Sequence, residues 1–146
     1  MIISRTPYRL SFFGGGTDYN AWFEENGGLV LAVGLAHYCY LNVRYLPPFF
    51  SHKSRIVYSK IESINEISEI QHPSVRGCLE YMKISDGVEI HHDGDLPARS
   101  GLGSSSSFTV GLLHALYALK HQMVDPRRLA EEAIDVEQNW LKESVG

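Results

Sequence analysis

Cysteine is scarce: Cys39 and Cys78 are the two in 146 residues, and no C-x-x-C or H-E-x-x-H spacing occurs. That excludes a disulfide-built scaffold and the common zinc sites, and it predicts two reduced core thiols in a cytoplasmic protein. Excess basic charge is lacking too. Lysine and arginine number 13 against 17 acidic residues, a net charge of −4. This argues against non-specific nucleic-acid binding, though not against a local basic cluster for an anion. No apolar run reaches the length of a membrane span, so no membrane partner is expected. The start Met1-Ile2-Ile3-Ser4-Arg5-Thr6 lacks the charged and apolar regions of a signal peptide. With 44% apolar and 21% charged residues, the composition is that of one globular core. Histidine is plentiful at seven, but the neighbours His91 and His92 sit in a strand-like run and face opposite sides. A histidine metal site is therefore not expected.

What is present is the run Asp95-Leu96-Pro97-Ala98-Arg99-Ser100-Gly101-Leu102-Gly103-Ser104-Ser105-Ser106-Ser107. Glycines let backbone N–H groups approach an anion, and a helix starting directly afterwards adds unpaired N–H groups and a positive dipole end. Together these make a phosphate cradle. No lysine follows the glycines, so this is not a P-loop, and Gly101-x-Gly103-x-x-Ser106 is an incomplete dinucleotide fingerprint. The competing reading is a serine-rich helix cap, but a tract of four serines exceeds what one cap requires.

Periodicity organises the rest. Ile2-Ile3 and Arg9 to Phe13 read as strand, ending at Gly14-Gly15-Gly16. Thr17 or Asp18 can cap a short helix through Ala21-Trp22-Phe23, stopped by Asn26-Gly27-Gly28. Leu29 to Tyr45 predicts two strands or one long bent strand, and Arg55 to Ser59 another. Ile61, Ile64, Ile67 and Ile70 fit a short helix or an irregular edge. Val75, Leu79 and Met82 form a helical stripe between Pro73 and Lys83. Val88 to His92 reads as strand and Asp93-Gly94-Asp95 as turn. A helix from Ser104 to about Lys120 carries Phe108, Leu112, Leu116 and Leu119 on its apolar side, with Gly111, Ala115 and Ala118 permitting close packing.

The last helix, Pro126 to Lys142, opens on Asp125-Pro126. On a helical wheel its apolar arc holds Leu129, Ala130, Ala133, Ile134, Val136, Trp140 and Leu141. Glu137 falls inside that arc. A carboxylate there must be paired, protonated or bound to a cation.

Pro97-x-x-x-Gly101-Leu102-Gly103-Ser104-Ser105-Ser106 resembles the P-x-x-x-G-L-G-S-S-A signature of the GHMP kinases, the family of galactokinase, homoserine kinase, mevalonate kinase and phosphomevalonate kinase. Ser106 stands where the family commonly has alanine. Thr6-Pro7-Tyr8-Arg9-Leu10-Ser11-Phe12-Phe13-Gly14-Gly15-Gly16-Thr17-Asp18-Tyr19 is similar, without a gap, to the sugar-kinase segment A-P-G-R-V-N-L-I-G-E-H-T-D-Y. Gly15 and Gly16 replace the Glu and His of galactokinases, and this form looks most like the branch of bacterial D-glycero-D-manno-heptose 7-phosphate kinases.

The resemblance implies an α+β fold, with residues 1–146 as the N-terminal ATP- and sugar-binding domain: a mixed sheet, helices on one side and a left-handed βαβ crossover. It implies an ATP-dependent sugar kinase, acting on the anomeric hydroxyl of the heptose 7-phosphate in nucleotide-heptose synthesis for lipopolysaccharide or capsule. The alternatives are another family kinase, fucokinase- or galactokinase-like, or a non-catalytic nucleotide-binding domain. ATP phosphates would lie on Pro97 and Gly101 to Ser107, including Leu102, Gly103, Ser104, Ser105 and Ser106. Mg2+ would be held by Ser105 and Glu137. Gly15, Gly16, Thr17 and Asp18 would meet the sugar or sugar phosphate, and Arg9 the transferring phosphoryl. The aspartate that serves as base in many members is expected beyond Gly146, as is the family's C-terminal glycine-rich loop. The chain is thus expected to be an N-terminal part, impaired or inactive alone, with an exposed domain interface prone to self-association.

Overall fold

A computed structural model describes residues 1–98 and 100–141. Two long strands, β1 (Ile2–Phe13) and β2 (Leu31–Tyr45), pair antiparallel from Ile2↔Val43 to Phe13↔Leu31. Pro7 is tolerated inside β1 because β1 is an edge strand, where a missing N–H need not break a ladder. Three shorter strands complete the sheet: β3 (Ser54–Val57), β4 (Ile61–Ile64) and β5 (Val88–Gly94), in the order β1-β2-β5-β3-β4. All neighbours are antiparallel except β3 and β5, which makes the sheet mixed. The connection between that parallel pair runs through β4, a 3-10 turn (Ile67–Glu69) and helix α2 (Pro73–Tyr81).

Alternation along the strands decides which face is covered. Leu41 and Val43 of β2, with Val88 and Ile90 of β5, are buried under α2 and under helix α3 (Ser104–Leu119). Gly111 lets α3 close onto the sheet: a Cβ there would lie 2.7 Å from Thr6 Oγ1 and 3.2 Å from Leu41 Cδ1. Helix α4 (Pro126–Asp135) packs on α3 through Leu129 and Ala133 and continues into a π-turn (Val136–Trp140). The fold is the expected α+β arrangement of a mixed sheet with helices on one side.

Several local readings change. β1 is one strand from Ile2 to Phe13, and of the two alternatives for Leu29 to Tyr45 the single long strand is the one observed, from Leu31. Of the two alternatives for residues 61–70, the irregular edge is observed: β4 lies at the edge of the sheet and a 3-10 turn follows it. Asp93 and Gly94 extend β5 rather than turning. Neither Thr17 nor Asp18 caps helix α1 (Asn20–Asn26); Tyr19 stands at that position without a side-chain cap. The last α-helix stops at Asp135 and a π-turn follows, and Ile134 and Trp140 are about half exposed instead of buried. Lys142 lies outside the described residues.

Among the described residues, the uncovered face of the sheet holds one buried carboxylate. Glu89 is 6% exposed and is bridged by Arg44, by His91 Nε2 at 3.1 Å and by Arg55 Nη1 at 3.5 Å. Burial pushes its pKa up, but hydrogen bonds from His91 and Arg44 outweigh that and hold it below the usual carboxylate range. A depressed folded-state pKa contributes stability above the unfolded value of about 4.3, and that stability is lost as pH falls through the folded value. Glu89→Gln is expected to lower stability at pH 7 by about 2 kcal/mol and to flatten its decline between pH 5 and 3, read from urea melts.

Candidate functional site

The serine-glycine loop is tied to β1. β1 changes register between Pro7 and Arg9, and there the Arg9 N–H donates to the Leu102 carbonyl at 3.0 Å. Ser107 Oγ donates to the Pro7 carbonyl at 2.9 Å. Gly103 adopts φ +72, and a Cβ on it would lie 2.8 Å from Arg9 Cγ, so the arginine stem lies across this glycine. The guanidinium donates from Nη1 to Ser11 Oγ at 2.5 Å. The two sequence motifs, roughly ninety residues apart, therefore form one surface.

The serine tract is not a helix cap. Gly103 holds the cap position of α3 in the left-handed region, and among the described residues no side chain caps the first-turn N–H groups. The hydroxyls turn elsewhere. Ser105 Oγ lies 3.4 Å from Glu137 Oε1, Ser106 Oγ 3.2 Å from Oε2, and Thr109 Oγ1 3.1 Å from Oε1. Glu137 follows Leu129 and Ala133 at four-residue steps along the buried stripe and is 5% exposed. Its charge, together with the larger effect of burial, pushes the Cys78 thiol far up. The predicted pair Ser105 and Glu137 is brought together, and Thr109 is a further member that only the fold reveals. The carboxylate and these three hydroxyls are oxygen donors, the chemistry a hard cation such as Mg2+ prefers. The uncapped N-terminus of α3 and the positive-φ glycines Gly101 and Gly103 suit phosphate oxygens.

The turn after β1 is built tightly. At Gly14, with φ +88, a Cβ would lie 1.8 Å from the Leu29 carbonyl oxygen. Thr17 Oγ1 donates to the Gly14 carbonyl at 2.8 Å and accepts from Leu29 N–H at 3.1 Å. Its hydroxyl is therefore spent inside the turn. Gly15 and Gly16 face open space. Asp18 Oδ1 is buried with no hydrogen-bond partner among the described residues, beside a cavity of about 360 Å3 lined by Asp18, Phe23, Gly28 and Val30. Asn20 Nδ2 donates to Gln138 Oε1 at 3.0 Å, which ties this turn's helix to the π-turn carrying Glu137. Pro97 is exposed at the loop entrance, and Arg99 lies outside the described residues.

A second cavity adjoins the loop. It measures about 240 Å3 and is lined by Tyr8, His72, His92, Leu96, Ser105 and Phe108, among others. Sequence reading missed His72 and His92, although His72 directly before Pro73 marked a helix start. Burial holds both imidazoles below their usual pKa. Two larger clefts, each about 560 Å3, lie around Lys53 and Asp86 at the other end of the sheet and share no residue with this site.

The GHMP kinases N terminal domain matches residues 73–146, half of the chain. This chain belongs to the GHMP kinases. A D-glycero-alpha-D-manno-heptose 7-phosphate kinase of Campylobacter jejuni is 26% identical over 96% of this chain and 44% of its own length. The crystal structure of a D-glycero-D-manno-heptose 1-phosphate kinase from Bacteriodes thetaiotaomicron superposes with a TM-score of 0.86 at 23% identity, over 100% of this chain and 51% of that one. Streptococcus pneumoniae phosphomevalonate kinase in complex with phosphomevalonate and AMPPNP gives 0.71 at 20% identity, over 94% and 42%. The chain spans about half the length of these relatives.

Gly103→Ala tests the joint between loop and strand. Alanine at positive φ costs about 1–2 kcal/mol, and its methyl must displace Arg9. The variant is expected to melt a few degrees lower and to bind magnesium tripolyphosphate at least tenfold more weakly, by calorimetry.

Proposed function

We propose that this chain is the ATP- and sugar-binding part of a sugar kinase that phosphorylates the anomeric hydroxyl of a heptose 7-phosphate. The observation that carries the reading is the buried Glu137 carboxylate, met by Ser105, Ser106 and Thr109 beside an uncapped helix N-terminus. Phosphoryl transfer is catalysed mainly by positioning and charge neutralisation, and this surface offers both. Backbone N–H groups of residues 101–107 would take the phosphates of ATP. Ser105 and Glu137 would hold Mg2+, which supplies neutralisation of phosphate charge when bound. Arg9, resting on Gly103, would face the transferring phosphoryl. The cavity between His72, His92 and Phe108 would receive the base.

The acceptor sugar would occupy the Gly14 to Asp18 side. Asp18 Oδ1, buried and without a hydrogen-bond partner among the described residues, suits a sugar hydroxyl that donates to it. Open space at Gly15 and Gly16 suits an acceptor larger than galactose. The heptose 7-phosphate kinase of Campylobacter jejuni supports this choice. Exposed Phe12, Phe13 and Leu31, where the far ends of β1 and β2 pair, would form the surface toward a second domain or a second copy.

Two measurements test the reading. Glu137→Gln is expected to weaken magnesium-dependent ATP binding at least tenfold while magnesium-free binding changes little; unchanged binding would make Glu137 a purely structural carboxylate. A panel of labelled-ATP assays with heptose 7-phosphate, fucose and galactose should be run on this chain and on any longer gene product containing it. Heptose 7-phosphate is expected to be the best acceptor. Equal or better turnover of an unphosphorylated sugar defeats the heptose assignment.

A further inference from the structure

Two clefts of about 560 Å3 each lie at the far end of the sheet from the phosphate loop, and the kinase reading uses neither. The first runs between the segment after β2 and the segment before β5, and backbone fixes the crossing beneath it. Leu46 N–H donates to the Gly87 carbonyl at 2.8 Å. Lys53 N–H donates to the Ile64 carbonyl at 3.0 Å and to Asn65 Oδ1 at 3.1 Å. A Cβ at Gly87 would lie 2.0 Å from the Lys53 carbonyl oxygen and 3.1 Å from Lys53 Cγ, so the lysine stem lies over the residue that follows Asp86. The lining divides into an apolar and a charged part. Tyr45, Pro47, Pro48 and Phe50 supply ring and proline surface. Lys53 is its one lysine and Asp86 its one carboxylate, and among the described residues neither is in an ion pair. His52, with its ring centroid 5.5 Å from that of Phe50, has Nε2 buried without a hydrogen-bond partner among the described residues. The neighbouring cleft shares Lys53 and Asp86, adds Glu66, Glu80 and Lys83, and has no aromatic or proline wall.

We propose that the first cleft binds a free α-amino acid with an apolar or aromatic side chain, its carboxylate on Lys53, its ammonium on Asp86 and its side chain against Tyr45 and Phe50. The charge pattern decides the class. A simple anion would be drawn to Lys53 and repelled by Asp86, and a simple cation the reverse. A wholly apolar ligand would take both charges out of water and give them no partner. A zwitterion answers both. Its two charges are a few bonds apart, which suits a lysine and an aspartate that meet at one glycine. An unpaired buried nitrogen is unfavourable, and an ammonium donor in the cleft gives His52 Nε2 a partner. The apolar wall sets the preference for a ring or branched side chain. The volume lies within the roughly 300–1,000 Å3 typical of small-molecule sites. The cleft shares no residue with the phosphate loop or the acceptor turn, so the inference is independent of the function proposed above.

The test is an NMR titration of the nitrogen-labelled intact chain at neutral pH with L-phenylalanine, phenylpropionate and phenylethylamine. Phenylpropionate lacks the ammonium, and phenylethylamine lacks the carboxylate. L-Phenylalanine is expected to shift the amides of Lys53, Asp86 and Gly87 saturably and to leave those of Gly101 to Ser107 in place. Each half-ligand is expected to bind at least about tenfold more weakly, the loss of one charge-assisted contact. Two variants locate the charges. Lys53→Met keeps the stem over Gly87 and removes the ammonium, and Asp86→Asn keeps the shape and removes the charge. Both positions are exposed, so thermal melting is expected to stay within about two degrees of the original. Each variant is expected to bind L-phenylalanine at least about tenfold more weakly, and Lys53→Arg to stay within about threefold. The absence of saturable shifts at the cleft overturns the proposal. Equal binding of either half-ligand overturns it as well, by marking a site for a simple anion or a simple cation. Undiminished binding of L-phenylalanine in both charge-removing variants does the same, by placing the ligand elsewhere.

Discussion

A carboxylate placed on the buried face of a helix organises this end of the molecule. Desolvating Glu137 is costly unless its oxygens are met by donors, and hydroxyls of Ser105, Ser106 and Thr109 meet them. Those hydroxyls come from the first two turns of α3, so the requirement fixes how α4 and its π-turn lie against α3. The cap position itself is Gly103, which has no side chain, so the first-turn N–H groups meet no side-chain acceptor among the described residues. An oxygen-lined carboxylate and an open helix N-terminus thus lie side by side. Both are the features a metal-bound polyphosphate requires.

The opposite wall depends on glycines. Gly103 admits the Arg9 stem, and Gly14 admits the Leu29 carbonyl, each at a distance no side chain could share. The first joins strand to loop, and the second closes the turn that holds Asp18. The Gly14 contact and the Arg9 N–H to Leu102 carbonyl bond are made by backbone and are independent of side-chain mobility, which suits a surface that must hold reacting groups to within fractions of an ångström. Rigidity here comes from the sheet: β1 is anchored along its length to β2, and the register change at Pro7 to Arg9 aims the chain at the loop.

Much of this was legible from residues in order. The apolar spacing of Phe108, Leu112 and Leu116 predicted α3, and the departure of Glu137 from an apolar arc marked a buried carboxylate before any contact was visible. Thr17 was misread as a helix cap, because a hydroxyl beside three glycines fits a turn or a cap equally well. Its bonds to Gly14 and Leu29 depend on a chain return twelve residues later. The π-turn escaped prediction as well, since a wheel drawn at a constant angle cannot register one wider turn.

Sequence alone determined the parts that are contiguous: the phosphate-type loop, the strand-and-turn motif, the helical stripes and the family to which they belong. These are local, because backbone conformation and periodic burial follow from near neighbours. Tertiary structure decided the convergences. It set Arg9 on Gly103, gave Glu137 three hydroxyls, and brought His72 and His92 to one aromatic ring from a helix start and a strand end. Such meetings depend on strand order and helix packing over long separations, which no local spacing encodes.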